Sequence, residues 1–244
     1  MNASDNEILV TALARTVEGC RHVAVGNASP IPAAAALLAR ALSDDRMIVS
    51  LLGSRAHNPY TDGGRELFDS AGQGRLDAFF LGGGEIDGQA NVNLVAVGPH
   101  DRPVARFPGS FGSAYLYFTV PRVVLFRAEH SRRVLVPRVS FVSAPGTSEA
   151  GVHRPGGPSL LVTSRCAFRF DRAARRFTLA SVHPGHSAEE VRAETGFDYD
   201  APASVPETPA PDAATLALIR DRVAAELAET YPTFAAKEWP RAAA

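Results

Sequence analysis

Ser4-Asp5-Asn6-Glu7 has the spacing of a capping box, and Ile8, Leu9, Ala12, Leu13 and Val17 recur behind it on one helical face, which predicts an opening helix. The apolar run His22-Val23-Ala24-Val25, stopped by Gly26-Asn27, reads as a buried strand. Ser29-Pro30 starts a second helix, because proline is accepted in a first turn and residues 33–42 almost all favour helix. Met47-Ile48-Val49-Ser50-Leu51-Leu52 is the next apolar strand and Gly53 closes it. Strand, helix and strand with connections this short make a βαβ unit, hence a parallel pair with a right-handed crossover.

Residues 54–64, with Asn58-Pro59 and Asp62-Gly63-Gly64, read as loop. A short helix at 66–71 leads into the buried strand Leu76-Asp77-Ala78-Phe79-Phe80-Leu81, which Gly82-Gly83-Gly84 ends. The texture then changes. Strands are predicted at 93–97, 114–119, 123–126, 134–141, 159–170 and 177–182, separated by turns rich in Gly and Pro, with 171–176 as the exposed turn of a hairpin. Ser187-Ala188-Glu189-Glu190 is a second capping box with Gly196 as its stop. Residues 198–211 hold four prolines and read as a surface linker; Asp212 then caps a last helix, 212–231, with Leu216, Ile219, Val223 and Leu227 on one face. No repeat is present. Residues 1–244 are expected to form one α/β domain: an open, mostly parallel sheet with flanking helices and a β-rich second half.

Composition narrows the chemistry. At 45% hydrophobic residues over 244 positions the chain can fill a core, and a net charge of -1 gives no electrostatic footprint for nucleic acid. No apolar run approaches the ~20 residues of a membrane span, and Met1-Asn2-Ala3-Ser4-Asp5 lacks the basic opening of a signal peptide, so a cytoplasmic protein is expected. Lys237 is the sole lysine, the other 24 of the 25 basic residues being arginine, which removes Schiff-base chemistry from consideration. Cys20 and Cys166 are too few for a disulfide framework and are expected as buried thiols. No histidine stands in an H-E-x-x-H or H-x-H pattern, so no metal site is expected, and His183-Pro184-Gly185-His186 reads as a turn.

In open parallel sheets, ligands bind at the carboxyl ends of the strands. Four loops qualify. Gly26-Asn27-Ala28-Ser29-Pro30 offers backbone N–H groups to an anion, or is simply a tight turn. The segment from Gly82 to Asn93 follows three glycines with Glu85, Asp87, Asn91 and Asn93, either cleft residues or a hydrogen-bonded turn. Phe107-Pro108-Gly109-Ser110-Phe111-Gly112-Ser113 has the small residues of a loop that aims N–H groups at an oxyanion. His153-Arg154-Pro155-Gly156-Gly157-Pro158-Ser159 matches neither a dinucleotide nor a phosphate fingerprint. Ser110 lacks a G-x-S-x-G elbow and is not read as a nucleophile.

Taken in order, these loops resemble the β-subunit of a family I coenzyme A transferase, the glutaconate and 3-oxoacid type. The resemblance runs from the first helix to the Ser187 helix. Its strongest part is Leu81-Gly82-Gly83-Gly84-Glu85-Ile86-Asp87 through Asn91-Val92-Asn93, similar to the family's strand-end "LGxxxxD…GNxN". The Phe107 loop resembles its "PGxGG", and the His153 loop and Ser181-Val182-His183-Pro184-Gly185 match later parts of β-like chains.

The resemblance implies an α/β open sheet, an α-subunit partner, and a coenzyme A thioester as substrate with no permanently bound cofactor. It also implies a glutamate nucleophile in a strand-end motif like "SENG", which would attack the thioester to give an anhydride and then a glutamyl-CoA. Leu51 stands at that place, and Glu66 and Glu85 are the nearest carboxylates in sequence. Ala90 and Phe111 replace two of the family's glycines, and the Phe111 ring is expected to reshape or fill part of the acyl pocket. The Arg-Pro-Gly-Gly-Pro and His-Pro-Gly segments also resemble a branch without the glutamate, heterodimeric hydrolases that open a ring of a CoA thioester in steroid degradation. On this resemblance Gly109, Ser110, Gly112 and Ser113 form the acyl-CoA loop, and Glu85, Asp87, Asn91 and Asn93 line the cleft or contact the partner. A true transferase and a non-catalytic partner subunit remain the alternatives.

Overall fold

The computed structural model describes residues 3–240. Helices α1 (Asp5–Thr16) and α2 (Pro30–Leu42), strands β1 (His22–Val25) and β2 (Ile48–Leu51), α3 (Gly64–Gly72) and β3 (Ala78–Leu81) form the opening βαβ layers. Short strands β4 (Glu85–Ile86), β5 (Val92–Asn93), β6 (Ala96–Val97) and β7 (Ala105–Arg106) follow, then α4 (Ser113–Thr119) and β8 (Arg122–Arg127). The second half holds β9 (Pro158–Thr163), β10 (Cys166–Asp171), β11 (Arg176–Val182) and α5 (Ala188–Glu194). The chain closes with α6 (Ala213–Leu218), a π-helical turn (Ile219–Val223), α7 (Ala224–Leu227) and α8 (Pro232–Glu238).

Seven strands make one sheet in the order β11-β10-β9-β8-β3-β1-β2. The pairs from β9 through β2 are parallel, and β10 and β11 extend the sheet as an antiparallel hairpin. The alternation of strand side chains divides the core in two. Val25, Leu51, Phe80, Val124 and Val162 face α1, α2 and the C-terminal helices, where Ile219, Val223 and Leu227 are buried. Ala24, Phe79, Val123, Leu125 and Phe168 face a second cluster under α3, α4 and the long segment after β3. This is the expected open, mostly parallel α/β sheet. Among the described residues no helix is long and apolar enough to cross a membrane.

Several predicted strands are something else, and the cause is usually a side chain taking backbone donors. Residues 134–141 form no strand beyond a single bridge from Leu135 to Ile86, because the Ser140 and Val139 amides donate to the Glu85 and Asp87 carboxylates. The stretch 93–97 breaks where Asn93 Oδ1 accepts from the Val95 and Ala96 amides. The stretch 159–170 is two strands, turned where Thr163 Oγ1 accepts from the Arg165 and Cys166 amides. Residues 114–119 form α4, because burying Leu116 and Tyr117 in the second core outweighs the strand preference of an aromatic run.

Residues 198–211 do not run free over the surface. The amides of Leu179 and Val182 and the carbonyls of Phe177 and Val182 bond across to this segment, which covers the exposed edge of β11. The last helix carries a π-helical turn at its centre. Of the two cysteines only Cys166 is buried; Cys20 is half-buried beneath the Arg122 guanidinium.

Candidate functional site

The carboxyl ends of β1, β2 and β3 bring together Gly26–Ser29, Leu51–Arg55 and Gly82–Gly84. At the β1 end Ala28 adopts φ +54°, a left-handed turn that Asn27 stabilises by accepting the Ala28 amide at 2.9 Å. At the β2 end Gly53 has φ +92°, and a Cβ there would lie 3.3 Å from Asn27 Oδ1, so the two turns touch. Leu51, where the family glutamate is expected, is 2% exposed. Its register partner is Val25, its side chain belongs to the apolar cluster under α2, and its amide donates to the His57 carbonyl.

At the β3 end the glycines serve packing: a Cβ on Gly83 would overlap Val92, and one on Gly84 the Phe107 ring. Beyond them the β4–β5 hairpin brings Glu85, Asp87, Asn91 and Asn93 together as two carboxylate–amide pairs. Asn93 Nδ2 donates to Glu85 at 2.7 Å, and the same carboxylate accepts from the Ser140 amide and hydroxyl at 2.7 and 3.0 Å. Asp87 accepts from the Gln89 and Asn91 amides, both at 3.0 Å, and from Asn91 Nδ2 at 3.1 Å; Asn91 in turn accepts the Gly146 amide. Both carboxylates are buried with every bond spent on closing the hairpin and fastening residues 139–146 to it. Ala90 is left-handed at φ +60°, with its carbonyl accepting from Tyr117 Oη at 2.8 Å.

The glycine loop lies against the Glu85–Asn93 end of this hairpin: the Gly109 amide donates to the Leu94 carbonyl at 3.0 Å. Gly109 takes φ +103°, and the Ser110 carbonyl accepts from the Ser113 amide at 2.8 Å as α4 begins after Gly112. Phe111 has φ +47°, and its ring does not turn inward. It stands 82% exposed, 5.4 Å from the Phe68 ring of α3 and over Gly64. The Asp87–Asn91 end instead borders a cleft of about 680 Å³ with Arg138 and the tip of the β10–β11 hairpin. That tip lies at the amino ends of the parallel strands, because β10 runs antiparallel to β9, whereas the glycine loop bonds to the opposite, Glu85–Asn93 end of the hairpin.

Other candidates have structural partners. The Glu66 carboxylate accepts the Asp62 amide at 2.6 Å and the Thr61 amide, which lowers its pKa and ties down the turn before α3. Arg154 reaches over the Tyr117 and Phe118 rings and donates to the Tyr117 carbonyl at 3.1 Å, so the His153 loop anchors α4. His183-Pro184-Gly185-His186 is the expected turn, closed by the His186 amide onto the His183 carbonyl at 3.1 Å, with the His183 side chain buried.

Two features escaped the sequence pattern. The first is a buried polar cluster in which His130 bonds Thr163 and Thr195 and His183 bonds Thr208 and the Thr163 carbonyl; burial pulls both imidazole pKa values down to about 4. The second is Glu229, which reaches the β2-end loop from the C-terminal helices. No local pattern marks either, because the partners come together only through the topology. Among the described residues no three His, Cys, Asp or Glu side chains gather as metal ligands.

An open, mostly parallel sheet with glycine-rich loops at its strand ends defines the α/β class, and comparison places the chain further. The family model described as Coenzyme A transferase matches residues 6–194, and the chain belongs to that family. It is 28% identical over 242 residues to the B-type subunit of the 3-oxoadipate CoA-transferase of Pseudomonas knackmussii, covering 89% of this chain and 92% of that one. It is 28% identical over 161 residues to the cholesterol ring-cleaving hydrolase IpdB subunit of Rhodococcus jostii, 64% of this chain and 63% of that one. The crystal structure of the decarboxylase AibA/AibB superposes with a TM-score of 0.78 at 30% identity, covering 90% of this chain and 94% of the matched chain.

Proposed function

We propose that this chain is the β-type subunit of a two-subunit enzyme acting on an acyl-CoA thioester, and that it works without a glutamate nucleophile of its own. The observation that carries this reading is Leu51. The side chain at the β2 end is apolar, 2% exposed and packed in the core, so no nucleophile is offered there. Similarity to a transferase, a hydrolase and a decarboxylase subunit supports a shared scaffold whose reaction is set by the groups added to it.

The reaction we favour is hydrolytic carbon–carbon cleavage of a ring in the acyl group, as in steroid or related catabolism. Water activated by a carboxylate of the α-subunit adds to a ring carbonyl. The carbon–carbon bond then breaks, one fragment end becomes a carboxylate, and the other becomes an enolate that is protonated while the thioester stays intact. Within the Gly109–Ser113 loop, whose ends are tied by the Gly109 amide to Leu94 and the Ser113 amide to Ser110, the Ser110, Phe111 and Gly112 N–H groups would hold the oxyanion or enolate. Glu85, Asp87, Asn91 and Asn93 then act by fixing the hairpin against which that loop rests.

A true transferase is the second reading, favoured by the match over nearly the whole 3-oxoadipate transferase subunit. Co-expression with candidate α-subunits and a panel of acyl-CoA thioesters, with and without a free carboxylic acid acceptor, separates the two. Turnover in water alone with the thioester retained supports the hydrolase. Turnover only with the acceptor supports the transferase. A subunit that merely completes its partner's cleft predicts unchanged single-turnover chemistry in complexes carrying Gly109 or Gly112 variants.

A further inference from the structure

Beyond residue 194, where the family match ends, the chain returns to the strand ends. Its helices dock through Ile219, Val223 and Leu227, all buried in the first core. The polar groups that follow make different contacts. One oxygen of Glu229 accepts the Arg55 amide at 2.9 Å, and the other accepts the Ser54 hydroxyl at 2.7 Å. Ser54 in turn accepts the His57 amide at 2.9 Å, and the His57 carbonyl receives the Leu51 amide at 2.8 Å. Two residues on, Tyr231 Oη accepts the Ser29 amide at 3.2 Å, beside the left-handed Ala28. Glu226 adds an Arg40 contact at 2.8 Å, with His57 Nε2 3.6 Å away.

From this arrangement we infer that Glu229 and Tyr231 form a clasp that sets the β1-end and β2-end loops in the shape that receives an acyl-CoA, with Glu229 the positioning residue. The inference rests on the acyl-CoA reading above and assigns a role within it to a segment the family match does not reach. Two adjoining left-handed turns, Ala28 and Gly53, are conformations that the surrounding structure must hold in place. The clasp bonds to the Ser29 amide directly after Ala28 and to the Arg55 amide two residues after Gly53. A carboxylate accepting an amide and a hydroxyl is the stronger kind of hydrogen bond, and the Thr230 and Ser54 hydroxyls with the Arg55 amide keep the Glu229 pKa at about 2, so the clasp stays charged throughout the physiological range. The glutamate faces a cleft of about 540 Å³ shared with Gly53, Arg55 and Ala56. Docking by the apolar face does not need these polar bonds, so their loss acts on the loops and spares the helices.

The test uses the assembled complex and coenzyme A itself as the probe. Glu229→Ala, Glu229→Gln and Tyr231→Phe are compared with wild type by hydrogen exchange of the Ser29, Arg55 and His57 amides, by titration of coenzyme A, and by melting and assembly. We expect Glu229→Ala to lose roughly tenfold or more of the protection at Arg55 and His57, and to weaken coenzyme A binding by a similar factor. Assembly and melting stay close to wild type. Glu229→Gln, which keeps an acceptor oxygen, recovers much of both, and Tyr231→Phe releases the Ser29 amide even if the Glu229 variants fold poorly. If the wild-type complex binds coenzyme A and Glu229→Ala binds it equally well, the clasp is overturned while the acyl-CoA reading stands. A wild-type complex that binds no coenzyme A overturns the acyl-CoA reading itself. Melting and binding lost together, with no rescue by glutamine, reduce Glu229 to a fold-stabilising residue and also overturn the proposal.

Discussion

Restoring a carboxylate at the β2 end is the most informative perturbation, because Leu51 is 2% exposed and faces the cluster that α2 covers. Deleting such a side chain in Leu51→Ala should cost about 2–5 kcal/mol from lost transfer energy and the residual cavity. Leu51→Glu loses much of the same apolar contact and adds a carboxylate that, ionised, carries a further desolvation cost of several kcal/mol. The new group therefore holds its proton in the folded state, and its pKa rises above the unfolded value of about 4.3. With the folded pKa raised, the folded state binds more protons between the two values. The variant's stability relative to wild type is then greatest below about pH 4.3 and declines as pH climbs toward the raised pKa. Leu51→Gln, nearly isosteric with the glutamate and uncharged, supplies the pH-independent reference. Urea unfolding at pH 5 and pH 8 should find Leu51→Glu at least about 4 kcal/mol below wild type at pH 8, with a deficit against Leu51→Gln that shrinks at pH 5. A variant within about 1 kcal/mol of wild type at both pH values would mean that the side chain opens onto solvent and that position 51 is not a core site.

Three more outcomes are expected. His130 and His183 are buried neutral with pKa values near 4, so the unfolded chain takes up protons first as pH falls; stability should be flat above pH 6.5 and drop toward pH 4 by up to about 3 kcal/mol per histidine. Urea midpoints across that range test this, and His130→Gln with His183→Gln should flatten the slope. Gly146→Ala should cost about 3 kcal/mol, because the added Cβ overlaps the Gln89 carbonyl and the Ala90 backbone, whereas Gly151→Ala, with open space around it, should cost only the strain of its φ of +87°; thermal melts compare the two. Glu85→Ala leaves Asn93 Nδ2 and the Ser140 amide and hydroxyl without the carboxylate they share and should cost about 3 kcal/mol, with faster hydrogen exchange confined at first to residues 139–146.

The βαβ half of the fold was readable because its strands are short apolar runs ending in glycine, α1 carries a capping box and α2 an N-terminal proline. Past β3 the period fails as a guide. Glu85, Asp87, Asn93 and Thr163 divert backbone amides that a strand would have used, and the aromatic run at 114–119 packs as a helix on α3. Grouping Glu85, Asp87, Asn91 and Asn93 was possible from spacing, but their pairing into two closed carboxylate–amide units was not. Asn91 and Asn93 face different ends of the hairpin, which spacing alone does not reveal. Glu229 lay furthest from view: it meets Ser54 across 175 positions, and only the return of the C-terminal helices joins them.

We propose that acyl-CoA is processed without a covalent intermediate on this chain. The most direct test is to quench the assembled complex during turnover of an acyl-CoA thioester in ¹⁸O-labelled water and measure the intact mass of this chain and the label in the product. The expected result is an unmodified chain, ¹⁸O in the carboxylate created by ring cleavage, and a retained thioester. Coenzyme A captured as a thioester on this chain, with turnover that requires a carboxylic acid acceptor, would contradict it.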